Sequence, residues 1–158
     1  MRKKVTGPAP QTAPVDQTWL KLEDLAQVEI TSEEPEHPIE SALIPGAESG
    51  WRAALPGEQV IRLIFEEPQQ IARIWLRFIE SKVERTQQFV LRWSSDGSSF
   101  QEIVRQEWNF SPNGSMQQIE DYHVSLSGVA SLELSITPDK SGGDARASLA
   151  DFLEDFVE

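Results

Sequence analysis

Cysteine is absent from the chain, which excludes a disulfide framework, a thiolate metal site and a cysteine nucleophile together. Histidine is almost absent as well, with His37 and His123 the only two. No Gly-x-Ser-x-Gly elbow, His-Glu-x-x-His helix or phosphate-cradling glycine loop occurs. No apolar run approaches the length of a membrane span. Positive charge is scarce too: 14 Lys and Arg stand against 26 Asp and Glu, a net charge of −12. Such a surface repels phosphate backbones, and no basic stripe interrupts it, so the reading is no nucleic-acid partner. Basic Met1-Arg2-Lys3-Lys4 has no hydrophobic region behind it, and a cytoplasmic location is expected.

What is present points to a β-protein. At 158 residues, with 39% apolar and 25% charged content, the chain suits one soluble domain with a core of its own. Residues 1–16 hold three prolines and no apolar periodicity, and are expected to form a flexible tail. Trp19, Leu20, Leu22 and Leu25 then dock the chain onto the body. Gln27–Thr31 reads as a short strand, and the two prolines of Ser32–Pro38 open a long irregular stretch reaching Gly57. Loops of that length are functional or packed by their own side chains.

Beyond Gly57 the pattern alternates. Gln59–Phe65 and Ile71–Phe78 read as strands separated by a turn at Glu66-Glu67-Pro68-Gln69-Gln70. Phe89, Leu91 and Trp93 share one face of the next strand, which runs into Asp96-Gly97, a strong hairpin signal, and returns through Phe100–Gln106. Trp108–Gly114 reads as a turn-rich loop. Tyr122–Leu126 and Leu132–Ile136 are further strands, with His123 facing outward. The end of the chain fits both a helical face and alternation; a terminal strand near Ala147–Leu153 is expected, with an acidic tail over 154–158. The domain is thus placed at 17–153, as an all-β sandwich or jelly roll of seven or eight short strands.

For chemistry, binding is better supported than catalysis. Glu33, Glu34 and Glu36 form a carboxylate run, but nothing in the sequence pushes their pKa values apart as an acid–base pair requires. The five tryptophans are many for this length. Sugar recognition uses a flat aromatic for C–H faces and charged or amide groups for hydroxyls. Trp108 and Asn113 beyond the hairpin, Arg85 at a loop mouth, and His37 and Arg52 in the long loop supply those types. The structural alternatives are loop packing for Trp108 and ion pairing for Arg85 and Arg52.

The ordered set of segments resembles the discoidin, or coagulation-factor type C, domain of the galactose-binding-like superfamily. The segments are Ser49–Ala53, Glu58–Phe65, Ile71–Leu76, the Phe89–Phe100 hairpin and Ala147–Asp151. The resemblance implies an eight-stranded jelly-roll β-sandwich whose end loops bind carbohydrates, lipids or proteins. It implies a core role for Trp51, and places Arg85 where relatives often carry a loop arginine. Ile44–Ser49 lacks the aspartate with which many sugar-binding relatives hold calcium, although Asp151 matches their late acid; no metal or other cofactor is expected. Membrane binding is not expected either, since apolar spikes beside basic residues are missing. The leading expectation is a non-enzymatic carbohydrate-binding-type module, with Arg85 and Arg52 donating hydrogen bonds and Trp108 stacking on the glycan. The second is an intracellular protein-interaction or scaffold domain on the same fold.

Overall fold

The computed structural model describes residues 19–47 and 49–155; the tail expected over 1–16 lies outside them. Two single-turn helices, α1 (Leu22–Leu25) and α2 (Glu40–Leu43), accompany a set of strands. These are β1 (Ala26–Ile30), β2 (Trp51–Arg52), β3 (Gln59–Ile79), β4 (Arg85–Ser94), β5 (Gln101–Phe110), β6 (Gln117–Thr137), β7 (Ser148–Leu149) and β8 (Asp151–Asp155).

β3 and β6 are the two long strands, each spanning 21 residues, and they pair antiparallel along their length. Their register slips between Ile64 and Arg73, so both strands bend there and pass from one layer to the other. One layer holds β1, the first half of β3, the second half of β6, β4 and β5. The other holds the first half of β6, the second half of β3, and β8. The result is the expected jelly-roll sandwich, five strand segments against three. The turn expected at Glu66–Gln70 is therefore a bent, exposed stretch of one continuous strand. Likewise Tyr122–Leu126 and Leu132–Ile136 are two halves of β6.

Alternation fills the space between the layers. In β3, Ile61, Leu63 and Phe65 point inward while Arg62 and Ile64 stay partly exposed. Burial of such a side chain contributes about 1.5–3 kcal/mol. Phe78 from one layer stacks on Phe89 from the other, with ring centroids 5.3 Å apart. A polar chain also crosses the sandwich. Gln87 Nε2 donates to Gln118 Oε1 at 3.2 Å, and Gln118 Nε2 donates to Glu120 Oε1 at 3.1 Å. Outside the main core, Trp19, Trp75 and Leu153 form a separate buried cluster.

β8 runs to Asp155, two residues past the expected domain boundary at 153. Glu154 and Asp155 are buried in that strand rather than part of an acidic tail; residues 156–158 lie outside those described. Pairing explains it, since Arg73↔Asp155 and Ile74↔Glu154 continue the β3–β8 ladder.

Candidate functional site

The strand registers decide which loops meet. Gln59 pairs with Ile136, Gln88 with Thr137, Arg85 with Phe110, Ile79 with Gln117, and Arg77 with Asp151. Loops 31–58, 80–84, 111–116 and 138–147 therefore gather at one end of the sandwich. All five residues expected to bind ligand come from this end. Their environments differ greatly.

Arg52 and His37 lie on its outer surface. Trp51 turns inward and is almost wholly buried, donating from Nε1 to the Ser32 carbonyl at 3.0 Å. Alternation then turns Arg52 outward. β2 pairs with β7 as Trp51↔Leu149 and Arg52↔Ser148, and the Ala53 N–H donates to the Ala147 carbonyl at 2.9 Å. Because Leu149 and Ala147 face inward, Ser148 and Arg146 face outward beside Arg52. The ladder needs Gly50, whose φ of +64° suits glycine and whose added Cβ would meet the Leu149 carbonyl oxygen at 2.9 Å.

A tight turn, Glu34-Pro35-Glu36-His37, closes onto the other edge of β2. Its ends are tied by Glu34 N–H to the Arg52 carbonyl at 2.9 Å and Arg52 N–H to the His37 carbonyl at 3.1 Å. Proline at the second turn position supplies a preset φ. Glu34 Oε1 lies 3.1 Å from Arg52 Nε and 3.2 Å from Arg146 Nη1. His37 Nδ1 is 3.0 Å from the Ser49 carbonyl. A carbonyl only accepts, so in this contact Nδ1 carries a proton, which leaves Nε2 as an acceptor in the neutral ring. Two guanidinium donors thus meet on one half-buried carboxylate, with the His37 ring in the turn beside them. Glu33, by contrast, is turned back into the loop, where its Oε2 accepts from Ile39 N–H at 2.8 Å.

Arg85 is an interior residue, not a loop-mouth donor. It begins β4 on the inward side, in line with Gln87 and Phe89, and its side chain is fully buried. Nε donates to Glu80 Oε1 at 2.8 Å, Nη1 to the Pro138 carbonyl at 2.8 Å and to Gln87 Oε1 at 3.2 Å. The guanidinium also lies 4.8 Å from the centroid of the Phe110 ring. Burial raises the Glu80 pKa, but the hydrogen bond from Arg85 and those from Lys82 and Val83 N–H outweigh it and leave the carboxyl lowered.

Trp108 and Asn113 were expected in one loop, yet β5 runs on to Phe110, so only 111–116 form it. Trp108 sits in the strand opposite Gln87, half-buried against the core, with its Nε1 enclosed. Asn113 is exposed in the turn closed by Ser111 N–H to the Ser115 carbonyl at 2.8 Å. Among the described residues no aromatic ring is freely exposed; Trp93, Phe100, Trp108 and Tyr122 are half-buried. Asp151, the late acid of the resemblance, accepts from Arg77 Nε at 2.8 Å and Trp75 Nε1 at 3.4 Å. At the opposite end, Asp24, Leu25, Glu66, Glu67 and Gln69 line an open cleft of about 440 Å³ that contains none of the expected residues.

No protein-family model matches the chain, and comparison with curated proteins finds no significant match. Solved structures do match. A family 32 carbohydrate-binding module of Clostridium perfringens NanJ, in complex with galactose, superposes with a TM-score of 0.62 at 13% identity, over 87% of this chain and 97% of that one. The chain has the discoidin, or galactose-binding-like, fold. A pectin-binding carbohydrate-binding module shares this fold with a TM-score of 0.59 at 15% identity, over 85% and 92% of the two chains. So does the family 32 module of AlyQ in complex with 4,5-unsaturated mannuronic acid, with a TM-score of 0.59 at 13% identity, over 83% and 95%.

Arg146 was missed in the sequence. Its signal was there in part: the outward phase of Ala147-Ser148-Leu149 extends back to it. Its partner on the far side of the chain was legible only through the β2–β7 register.

Proposed function

We propose that this chain is a non-enzymatic carbohydrate-binding-type module that recognises a glycan on the surface formed by the Glu34–His37 turn, β2 and Arg146. The observation that carries the reading is the convergence of Arg52, Arg146 and Glu34, with His37 beside them, on an ordered ladder at the loop end. Sugar hydroxyls need donors and acceptors fixed side by side, and an arginine–carboxylate pair offers both. The fold shared with carbohydrate-binding modules supports the same reading. Arg85 and Trp108 act in it as the framework behind the surface, and Asn113 lies on a neighbouring loop.

A second reading, a protein-interaction surface, is favoured by one observation. The exposed large apolar side chains Ile44, Leu55, Ile79, Val83 and Met116 all come from this same end. A glycan-array screen with the wild-type chain and the Arg52→Ala variant separates the two. Specific glycan binding that Arg52→Ala abolishes supports the module. A blank array with folded protein removes the glycan reading and leaves the interaction surface.

A further inference from the structure

Arg52 and Arg146 carry unused binding capacity at this end. Arg52 gives its Nε, and Arg146 its Nη1, to the same oxygen of Glu34. The remaining guanidinium nitrogens of both make no further hydrogen bond among the described residues, and the two side chains are 51% and 42% exposed. Glu34 supplies one negative charge against two positive ones. Elsewhere, arginines are neutralised within the sandwich surface: Arg62 and Arg92 together by Glu29 and Glu133, Arg73 by Asp121, Arg77 by Asp151, Arg85 by Glu80, Arg105 by Glu102. A net-positive pair is therefore an exception on a chain of net charge −12.

From this we infer that Arg52 and Arg146 form a clamp for a carboxylate, which makes the preferred glycan a uronic-acid sugar. This deepens the proposed function and rests on it. A planar guanidinium offers parallel N–H groups that match the two oxygens of a carboxylate. Two such forks, held in common by Glu34, reach solvent from β2 and from the segment that leads into β7. A neutral sugar hydroxyl uses one donor at a time and gains less from a second cation. A carboxylate gains from both, and its charge is complementary to the excess over Glu34. Exposed Glu36, in the neighbouring turn, carries the opposing charge that limits how a polyanion can lie across the surface. The clamp therefore reads one carboxylate at a defined position, not a general anionic surface. Arg146 is the specificity-determining residue in this arrangement.

The test is calorimetric titration of the folded chain with three probes: an oligogalacturonate, the same oligosaccharide fully methyl-esterified, and a neutral galactose oligosaccharide. The free acid should bind about tenfold or more tightly than its ester, the value of a charge-assisted pair. Arg146→Gln should weaken binding of the acid about tenfold more than binding of the ester or the neutral oligosaccharide, bringing the acid to the level of the ester. Arg146→Lys, which keeps the charge and loses the fork, should retain only part of the preference. Equal affinity for acid and ester in the wild type would overturn the clamp while sparing the glycan reading. So would an Arg146→Gln loss shared equally by all probes. No heat with any probe would overturn both.

Discussion

Arg52 and Arg146 reach the same oxygen of Glu34, at 3.1 and 3.2 Å, although they enter from different loops. That shared carboxylate joins the long loop after β1 to the segment before β7. Its pairs are exposed, so their worth to stability is about 0–1 kcal/mol. Glu34→Gln should accordingly leave the denaturation midpoint nearly unchanged while weakening glycan binding, because the two guanidinium groups lose their common anchor. A large loss of stability with binding intact would make Glu34 a fold residue instead.

Arg85 belongs to the other class. Its buried guanidinium faces Glu80, the Pro138 carbonyl and the Phe110 ring. Removing one partner of such a pair strands the other, at a cost of about 3–5 kcal/mol. Arg85→Ala should lower unfolding free energy by roughly 3 kcal/mol in urea titrations. A variant as stable as the wild type would show that the interior position is not used to hold the fold.

Glu154 gives the chain a pH signature. It is fully enclosed, neither carboxyl oxygen has a hydrogen-bond partner among the described residues, and burial holds its pKa well above the ordinary 4.5. A raised folded-state pKa contributes stability that is complete below the unfolded value and is lost as pH rises toward the folded one. Glu154→Gln removes the titration. The variant should gain on the wild type between pH 5 and pH 8, read as a widening gap in urea midpoints. A gap that stays constant over that range would contradict the account.

Gly50 tests the ladder that presents the clamp. Alanine there would adopt a disfavoured φ and press its Cβ on the Leu149 carbonyl. The expected cost is about 1–3 kcal/mol, together with loss of glycan binding. Retained stability and affinity would mean that the β2–β7 register is not needed.

The legible parts of the sequence were those governed by local geometry. Asp96-Gly97 does close the β4 hairpin: Asp96 Oδ1 accepts from Ser98 and Ser99 N–H, and Gly97 takes a φ of +81°. Those backbone donors, with Ser94, bring the Asp96 pKa down to about 2. Pro68 misled because proline marks turns, yet a bulged bend in an exposed stretch also accepts a residue without an N–H. Arg85 misled because its charge suggested solvent, although its spacing from Gln87 and Phe89 was the inward one. The pairing of Arg52 with Arg146 depends on tertiary register and has no local signature.

Backbone amide chemical-shift mapping during titration with oligogalacturonate locates the binding surface. Shifts should concentrate at Glu34–His37, Trp51–Ala53 and Ala145–Ser148, and be absent in Arg52→Ala. Shifts confined to the Asp96–Ser99 hairpin or to the cleft at Asp24 and Glu66 would place binding at the opposite end of the sandwich and contradict the proposed surface.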